Sequence, residues 1–299
     1  MEHLIEALHS VALADTPTRV EFILSTRWIK YPAAERILDR LEELLIHPKI
    51  ARMPNLMLVG ETNNGKTVLV NRFRQMHKPY ATLDEEKLVR PLVIVESPPK
   101  PDERKFYRKL LDQLNAPYRL SDRVDRIERQ VFHVLKHLDT RMLIIDEIQN
   151  LLAGSSSSQR IFLNVLKGMA NELQIVIVAV GTMEARNAMS ADPQMANRFV
   201  QKFLPKWHYT EEYLRLLASF ERMLPLRKPS SLTGPALAER IYSLSEGTIG
   251  EISAVITTAA VTAIRSGEER INGKILDRIV DQMDYVSPSA RRRVQVSLG

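Results

Sequence analysis

The segment Gly60–Thr67, GETNNGKT, constrains the fold of this chain more than any other, because it matches the phosphate-binding pattern G-x-x-x-x-G-K-[ST] at every fixed position. The apolar run Leu56–Val59 predicts a buried strand before it, and the residues from Val68 onward predict a helix after it. In such a unit, backbone N–H groups and the helix N-terminus surround an anion. The flanking elements therefore favour a nucleoside triphosphate site over the alternative, a chance glycine turn.

Each loop position has an expected role. Lys66 supplies a positive charge to the outer phosphates, and Thr67 supplies a hydroxyl to Mg²⁺. The residues expected to contact the nucleotide are Gly60, Glu61, Thr62, Asn63, Asn64, Gly65, Lys66, Thr67 and Val68.

Further apolar runs predict a parallel sheet. Leu92–Val95, Met142–Asp146 and Ile175–Val180 are continuous apolar segments separated by helical patterns, which is typical of strands covered on both faces. Phe203 and Leu204 predict a fifth, shorter strand. The four serines from 155 to 158 favour a loop. After Trp207 the strand signals stop, and helices are expected near 210–224, 233–246, 249–266 and 272–284.

These patterns divide the chain into four parts. We expect a helical segment at 1–50 that packs on the core, an α/β core at 51–207, a helical domain at 208–285 and a basic tail at 286–299. A net charge of +6 favours a polyanionic partner, and the absence of cysteine excludes disulfides and thiolate metal sites. No apolar run reaches the ~18 residues of a membrane span, and the acidic start does not fit a secretory signal. We therefore expect a cytoplasmic protein with no membrane partner.

Two acidic residues end the strand at 142–146. Asp146 is placed to hold Mg²⁺ through water, and Glu147 to orient and deprotonate an attacking water. A solvated surface pair is the alternative. The position of the pair behind a phosphate-binding loop favours the site.

Two later residues are weaker candidates. Thr182 ends the strand at 175–180 and would reach the terminal phosphate or the attacking water. Arg198 follows that strand and would stabilise transition-state charge on the nucleotide of a neighbouring subunit. The alternatives are an ordinary strand end and a surface arginine.

In this order, the motifs resemble the AAA+ ATPases of the initiator and transposition-regulator branch, and within it most closely the TniB family. The resemblance covers roughly residues 20–285. It is carried by YPAA from Tyr31, RMPNLMLVG from Arg52, IIDEIQNL from Ile144, GTMEA from Gly181 and EGTIGEI from Glu246. It implies an α/β fold of three layers, with a central parallel sheet and a small C-terminal helical lid, and it implies ATP and Mg²⁺ as cofactors.

The resemblance also implies residue roles. Lys66 and Thr67 would form the Walker A pair, Asp146 and Glu147 the Walker B pair, Thr182 sensor one and Arg198 the arginine finger. Tyr31 and Pro32 would flank the adenine, with a packed helix entry as the alternative. Many related lids carry Gly-x-x-Arg, whereas Gly247–Glu251 contains no arginine, so sensor two looks absent and slow hydrolysis is expected.

The function implied by the resemblance is ATP-dependent regulation of DNA transposition. The protein would oligomerise as a ring or filament on duplex DNA, recruit a transposase and a target-selection protein, and disassemble on hydrolysis. Lys100, Arg104 and Lys105 would contact the DNA backbone, with a solvated face as the alternative. Two other functions stay open: a nucleotide-switched scaffold or signalling NTPase without a DNA role, and an origin-type initiator or helicase loader.

Overall fold

The structure is a computed structural model that describes residues 1–25, 28–83, 87–153, 156–191 and 196–291. The chain forms two compact units. The helical unit comprises Met1–Tyr31, Asn63–Gly65 and Lys206–Gly299, and the sheet unit comprises Pro32–Thr62 and Lys66–Pro205. This grouping differs from the expectation for residues 1–50, because only the part from Pro32 onward groups with the sheet. Most of the expected basic tail, from residue 292, lies outside the described residues.

The sheet unit contains five parallel strands in the order β4-β5-β6-β1-β7, which confirms the predicted α/β fold class. The strands of the chain are β1 (Asn55–Gly60), β2 (Tyr80–Ala81), β3 (Leu88–Val89), β4 (Leu92–Glu96), β5 (Met142–Asp146), β6 (Val176–Gly181) and β7 (Phe199–Leu204). The short strands β2 and β3 form an antiparallel pair that the apolar pattern did not predict. Strand β7 is longer than expected. The predicted strand is too short because β7 is the edge strand, and most of its side chains contact solvent and so give no continuous apolar pattern.

The α-helices within residues 1–31 group with the helical unit, and those from residue 32 to 190 group with the sheet unit. In chain order, those up to residue 190 are α1 (His9–Leu13), α2 (Thr16–Leu24), α3 (Pro32–Leu45), α4 (Lys66–Met76), α5 (Glu103–Gln113), α6 (Val124–His137), α7 (Gln149–Leu152), α8 (Ser156–Leu173) and α9 (Met183–Ser190). Helix α8 begins at Ser156, so the expected serine loop is wrong for residues 156 to 158, while residues 154 and 155 lie outside the described part. The buried residues Phe162 and Leu166 anchor this helix in the core.

The core of the sheet unit holds the carboxyl ends of the strands in place. Strands β1, β5 and β6 are buried along their whole length. Leu110 of α5 and Val131 of α6 pack in the same cluster. Burial of one such side chain stabilises the fold by about 1.5–3 kcal/mol, so the loops that leave these strands start from fixed positions.

The helical unit has its own core. Its later helices are α10 (Glu211–Met223), α11 (Pro235–Ser245), α12 (Ile249–Arg265) and α13 (Gly273–Asp281), close to the bounds expected from the sequence. Ile23 of α2 belongs to this core. Among the described residues no helix is long and apolar enough to span a bilayer.

A buried arginine fixes the N-terminal residues in the helical unit. Arg19 of α2 is 1% exposed. Its Nε and Nη2 atoms donate to the Pro225 carbonyl at 3.1 and 2.8 Å, and Nη1 donates to Glu269 Oε1 at 2.9 Å. The hydrogen bond from Arg19 holds the pKa of Glu269 below its usual range. An ion pair with this many partners is strongly destabilising to break, so it is one of the contacts, with the packing of Ile23, that tie residues 1–31 to the later helices.

Candidate functional site

The phosphate-binding loop leaves the carboxyl end of β1. A Cβ at Gly60 would lie 3.2 Å from the Leu204 carbonyl oxygen, so a glycine there allows β1 and β7 to end close together. Within the loop, Gly65 has φ +79° and Asn63 has φ 59°, both in the left-handed region. These two residues bend the backbone as a loop closing around an anion requires.

Lys66 is the first residue of α4 and is 6% exposed. Its ammonium donates to the carbonyl oxygens of Gly60 at 2.9 Å and Glu61 at 2.7 Å. Burial lowers the pKa of Lys66, while the nearby charges of Glu147, Asp146 and Glu61 oppose that shift. The cation is therefore held against the backbone of the loop, within the part of the chain that the motif assigns to phosphate.

Thr67 and Asp146 meet at the carboxyl ends of β1 and β5. The Thr67 hydroxyl donates to Asp146 Oδ2 at 2.7 Å, and Asp146 is 5% exposed. A hydroxyl beside a carboxylate fits Mg²⁺, which takes oxygen ligands and completes its shell with water and substrate phosphates. Within the described residues no group of three or more His, Cys, Asp or Glu side chains could hold a metal by itself. The pair thus suits a cation that arrives with a nucleotide.

Glu147 lies in a tight turn directly after β5. Its φ of 55° is in the left-handed region, and its N–H donates to Asp146 Oδ1 at 2.9 Å. Strain at a non-glycine residue is often found where a side chain must point in a required direction. The Gln149 amide donates to the Glu147 carboxylate and so orients it.

Two further residues support this turn. The buried Ser97 follows β4, and its hydroxyl donates to the carbonyl oxygen of Asp146 at 3.0 Å and to that of Glu147. A Cβ at Gly181 would lie 2.7 Å from Ile148 Cγ2, so only glycine there leaves room for the turn. Sequence reasoning missed the roles of Ser97 and Gln149, because no motif singles them out, and it noted Gly181 only as a strand end.

Thr182 lies at the same sheet edge as the loop, one residue beyond the paired residues Val59 and Gly181. Its hydroxyl donates to the Glu184 carboxylate, which lowers the pKa of Glu184. The structure therefore places Thr182 at the expected edge of the sheet but pairs its hydroxyl with a neighbour on α9. Its role toward phosphate stays a prediction.

Arg198 lies at the amino-terminal end of the parallel strands, whereas the phosphate-binding loop lies at their carboxyl end. It precedes β7, whose first residue, Phe199, pairs with Asn55 at the start of β1. Along the strand direction, the six residues of β7 separate Arg198 from the phosphate-binding loop, a distance of about 20 Å. Its guanidinium donates to Asn171 Oδ1 at 2.9 Å. Arg198 is thus not brought together with Lys66, Asp146 and Glu147 within one chain.

Tyr31 is packed between aromatic rings. Its ring centroid lies 6.4 Å from that of Trp28 and 5.1 Å from that of Trp207, and burial raises the pKa of its hydroxyl to about 12. Pro32 is the first residue of α3. This packing agrees with the alternative given for these two residues, in which they pack the start of a helix and do not contact adenine. The adenine contact stays a prediction for both residues.

The basic residues near α5 differ in their exposure. Lys100, Arg104 and Lys105 are exposed. Asp102 is the N-cap residue of α5, and the ammonium of Lys105 lies 3.6 Å from its Oδ2 atom. The other basic side chains of the region bond the protein's own carbonyls: Lys109 donates to Glu96 at 3.2 Å, and Arg108 donates to Leu120. The structure thus shows that the first three are exposed, and their contact with DNA stays a prediction.

The five-stranded parallel sheet, the loop on β1 and the acidic end of β5 define the fold of the AAA+ class of P-loop ATPases. Solved structures with this fold include ORC2 of Aeropyrum pernix in ADPNP–ADP complexes, with 16% identity, TM-score 0.62 and coverage of 87% of this chain and 70% of that one. Cdc6p of Pyrobaculum aerophilum has 16% identity and TM-score 0.59, over 86% of this chain and 68% of that one. Drosophila ORC bound to DNA has 13% identity and TM-score 0.58, over 91% and 67%.

The family follows from the sequence itself. The family model described as bacterial TniB protein matches residues 19–209, and the chain therefore belongs to the TniB family. A comparison with curated protein sequences finds no match. The resemblance to TniB inferred from the motifs is confirmed.

Proposed function

We propose that this chain is an ATP-dependent, sequence-nonspecific DNA-binding regulator of DNA transposition. One observation carries the ATPase part: the Thr67 hydroxyl lies 2.7 Å from Asp146 Oδ2, beside the loop that holds Lys66. Membership of the TniB family supports the role in transposition. The fold shared with ORC proteins, one of them solved bound to DNA, supports a role on duplex DNA.

In the proposed mechanism, the loop N–H groups and Lys66 bind the phosphates of ATP. Thr67 and Asp146 would hold Mg²⁺, which when bound neutralises charge on the phosphates. The Glu147 carboxylate orients the attacking water and accepts its proton, and the Gln149 amide keeps that carboxylate in place. These residues perform the chemistry of the step within one chain.

The remaining proposed roles depend on assembly. Arg198 would stabilise charge on the nucleotide of a neighbouring subunit. Thr182 would leave Glu184 and turn to the terminal phosphate. Because Gly247–Glu251 carries no arginine, hydrolysis would be slow and would serve as a timer for assemblies on DNA. While ATP persists, the ring or filament would recruit a transposase and a target-selection protein.

A gel-shift experiment with plain duplex DNA at moderate salt tests the nucleotide switch. Wild-type protein should shift the DNA with ATP and much less with ADP. Lys66→Ala should lose ATP binding and the shift together, whereas Glu147→Gln should keep ATP and dissociate from DNA more slowly than wild type. Lys49→Ala, at an exposed lysine near Asp139, is the matched control. Rapid release of Glu147→Gln from DNA in ATP would contradict the timer.

Salt dependence tests the DNA surface. Each phosphate contact contributes about 0.9 to the slope of log K against log salt, so replacing Lys100, Arg104 and Lys105 by alanine should lower the slope by up to about 2.7. A control variant removes three exposed charges elsewhere, from Lys49, Lys136 and Arg215. Equal losses in the two variants would show that net charge, not this surface, governs binding.

An origin-type initiator is the second candidate, favoured by the structural similarity to ORC and Cdc6 proteins. Competition with unlabelled duplexes of unrelated sequence separates the two. The proposed regulator, which contacts the backbone, should be displaced equally by all of them, whereas an initiator should retain preferred sequences. A scaffold or signalling NTPase would show no ATP-dependent shift at all.

A further inference from the structure

The tip of the phosphate-binding loop caps helix α12. The N-cap residue Thr248 makes no side-chain hydrogen bond to the first turn of this helix. Instead, the Gly250 N–H donates to the Asn63 carbonyl at 3.0 Å, and the Ile249 N–H donates to Asn64 Oδ1 at 3.4 Å. The first N–H groups of a helix lack partners within it, so the loop supplies acceptors that the sequence of α12 does not.

Glu251, in the first turn of α12, links Asn63 of the loop to residues 285–291, the last residues that the structure describes. Its carboxylate is 6% exposed and accepts from three donors. Asn63 Nδ2 lies 2.9 Å from Oε1, the Tyr285 hydroxyl lies 2.8 Å from Oε2, and the Arg291 guanidinium forms an ion pair with Oε2. A buried carboxylate is stable only when it is hydrogen-bonded and its charge is balanced, and of these three donors only Arg291 carries a charge.

We infer that Glu251 is a positioning residue for the phosphate-binding loop, and that ATP binding and the docking of residues 285–291 favour each other through it. The inference rests on the proposed binding of ATP by the loop. ATP brings several negative charges to the loop that Glu251 holds through Asn63. With Arg291 docked, the Glu251 charge is balanced; with Arg291 away, an unpaired carboxylate repels the phosphates.

The coupling has to be reciprocal. If docking of Arg291 strengthens ATP binding by some factor, ATP strengthens the docking by the same factor. The segment that follows Arg291 contains Arg292 and Arg293. Occupancy of the loop would in this way control how firmly the start of this basic segment is attached.

A double-mutant cycle with a fluorescent ATP analogue tests the charge balance. Arg291→Ala should weaken binding about tenfold, within the usual range for coupled sites. Glu251→Gln keeps the shape of the side chain and removes its charge, so adding Arg291→Ala to it should cause little further loss. Arg240→Ala, which breaks the exposed ion pair with Asp277 in the same unit, should bind ATP like wild type.

Limited trypsin digestion supplies a second measurement. Arg291 is half exposed, so cleavage after it can be followed by mass spectrometry. Saturating ATP should slow this cleavage in wild type by about the factor found in the cycle, and should not slow it in Glu251→Gln.

The outcomes separate this inference from the proposed function. Failure of wild type to bind the analogue would remove the proposed function and the inference with it. Normal binding by wild type together with unchanged binding by Arg291→Ala would overturn the inference alone. Equal loss from Arg291→Ala in the wild-type and Glu251→Gln backgrounds would also overturn it, because the arginine would then act without Glu251.

Discussion

Two variants that are each inactive should together restore ATP hydrolysis, because Arg198 cannot reach the nucleotide of its own chain. Arg198 precedes β7 and the loop follows β1, and the two strands run parallel in register from Asn55 and Phe199. A six-residue strand spans about 20 Å, far beyond the reach of an arginine side chain. If Arg198 acts as an arginine finger, Arg198→Ala should lower the rate by about 10³-fold or more.

The complementing variant is Glu147→Gln, which retains Arg198 but cannot activate water. An interface is active only if the subunit that holds the nucleotide retains Glu147 and its neighbour retains Arg198. In a randomly assembled equimolar mixture, one interface in four meets both conditions, namely an Arg198→Ala nucleotide site that faces a Glu147→Gln neighbour. The mixture should therefore hydrolyse ATP at about a quarter of the wild-type rate, since each head-to-tail interface joins two different edges of the subunits. Phosphate release in the presence of duplex DNA, measured across mixing ratios, should peak at the equimolar point.

The control is Arg52→Ala, which removes a nearby exposed guanidinium that donates to the Asn197 carbonyl at 3.3 Å. It should leave hydrolysis near the wild-type rate. A mixture no faster than the sum of its parts would refute the reasoning, and so would an Arg198→Ala protein that is fully active alone.

Three further predictions concern stability. Replacing Arg19 by methionine leaves the partly buried Glu269 without its guanidinium partner, with only the Arg227 N–H still donating to it, and should lower the free energy of unfolding by up to about 3–5 kcal/mol in urea titrations. Adding Glu269→Leu should recover part of the loss, and an additive loss would contradict this. Gly250→Ala would place a Cβ 2.0 Å from Asn63 Oδ1 and should weaken ATP binding and lower the melting temperature, while Gly273→Ala, with open space around it, should be neutral or stabilising. Absorbance at 295 nm should show a late ionisation step that coincides with loss of circular dichroism, because burial raises the pKa of the four tyrosines that are no more than 8% exposed. The folded state retains these protons, so the stability they contribute is complete below pH ~10 and falls as pH rises above it. These residues are Tyr31, Tyr107, Tyr213 and Tyr285. Ionisation of all tyrosines near pH 10 with the fold intact would contradict the assignment.

The sheet could be predicted because its inner strands are buried on both faces. A strand such as β5 must then be apolar up to its last residue, and that residue, the acidic Asp146, marks its end. Strand β7 gave a weaker signal, because only Phe199 and Leu204 are buried. The start of α8 was predicted as a loop because serine composition says nothing about the apolar residues a turn further on.

The site could be predicted only where a motif fixes the backbone. Lys66, Thr67 and Asp146 lie together because the loop and the end of β5 share one sheet edge. Ser97 and Glu251 form hydrogen bonds with partners 49 and 188 residues away, and no local sequence pattern records such contacts. The grouping of residues 1–31 has the same origin, since it depends on contacts such as those of Arg19 with Pro225 and Glu269, more than 200 residues away.

Because Arg198 lies far from the loop of its own chain, an assembly in which Arg198 of one subunit faces the nucleotide of the next has two different ends. Subunits that offer different edges to their neighbours join head to tail, and such a chain either closes into a ring or stays open. An open filament then has one terminal subunit whose ATP faces no neighbouring arginine. That subunit would hydrolyse its nucleotide last, as a long-lived cap at one end, while a closed ring would have no such end.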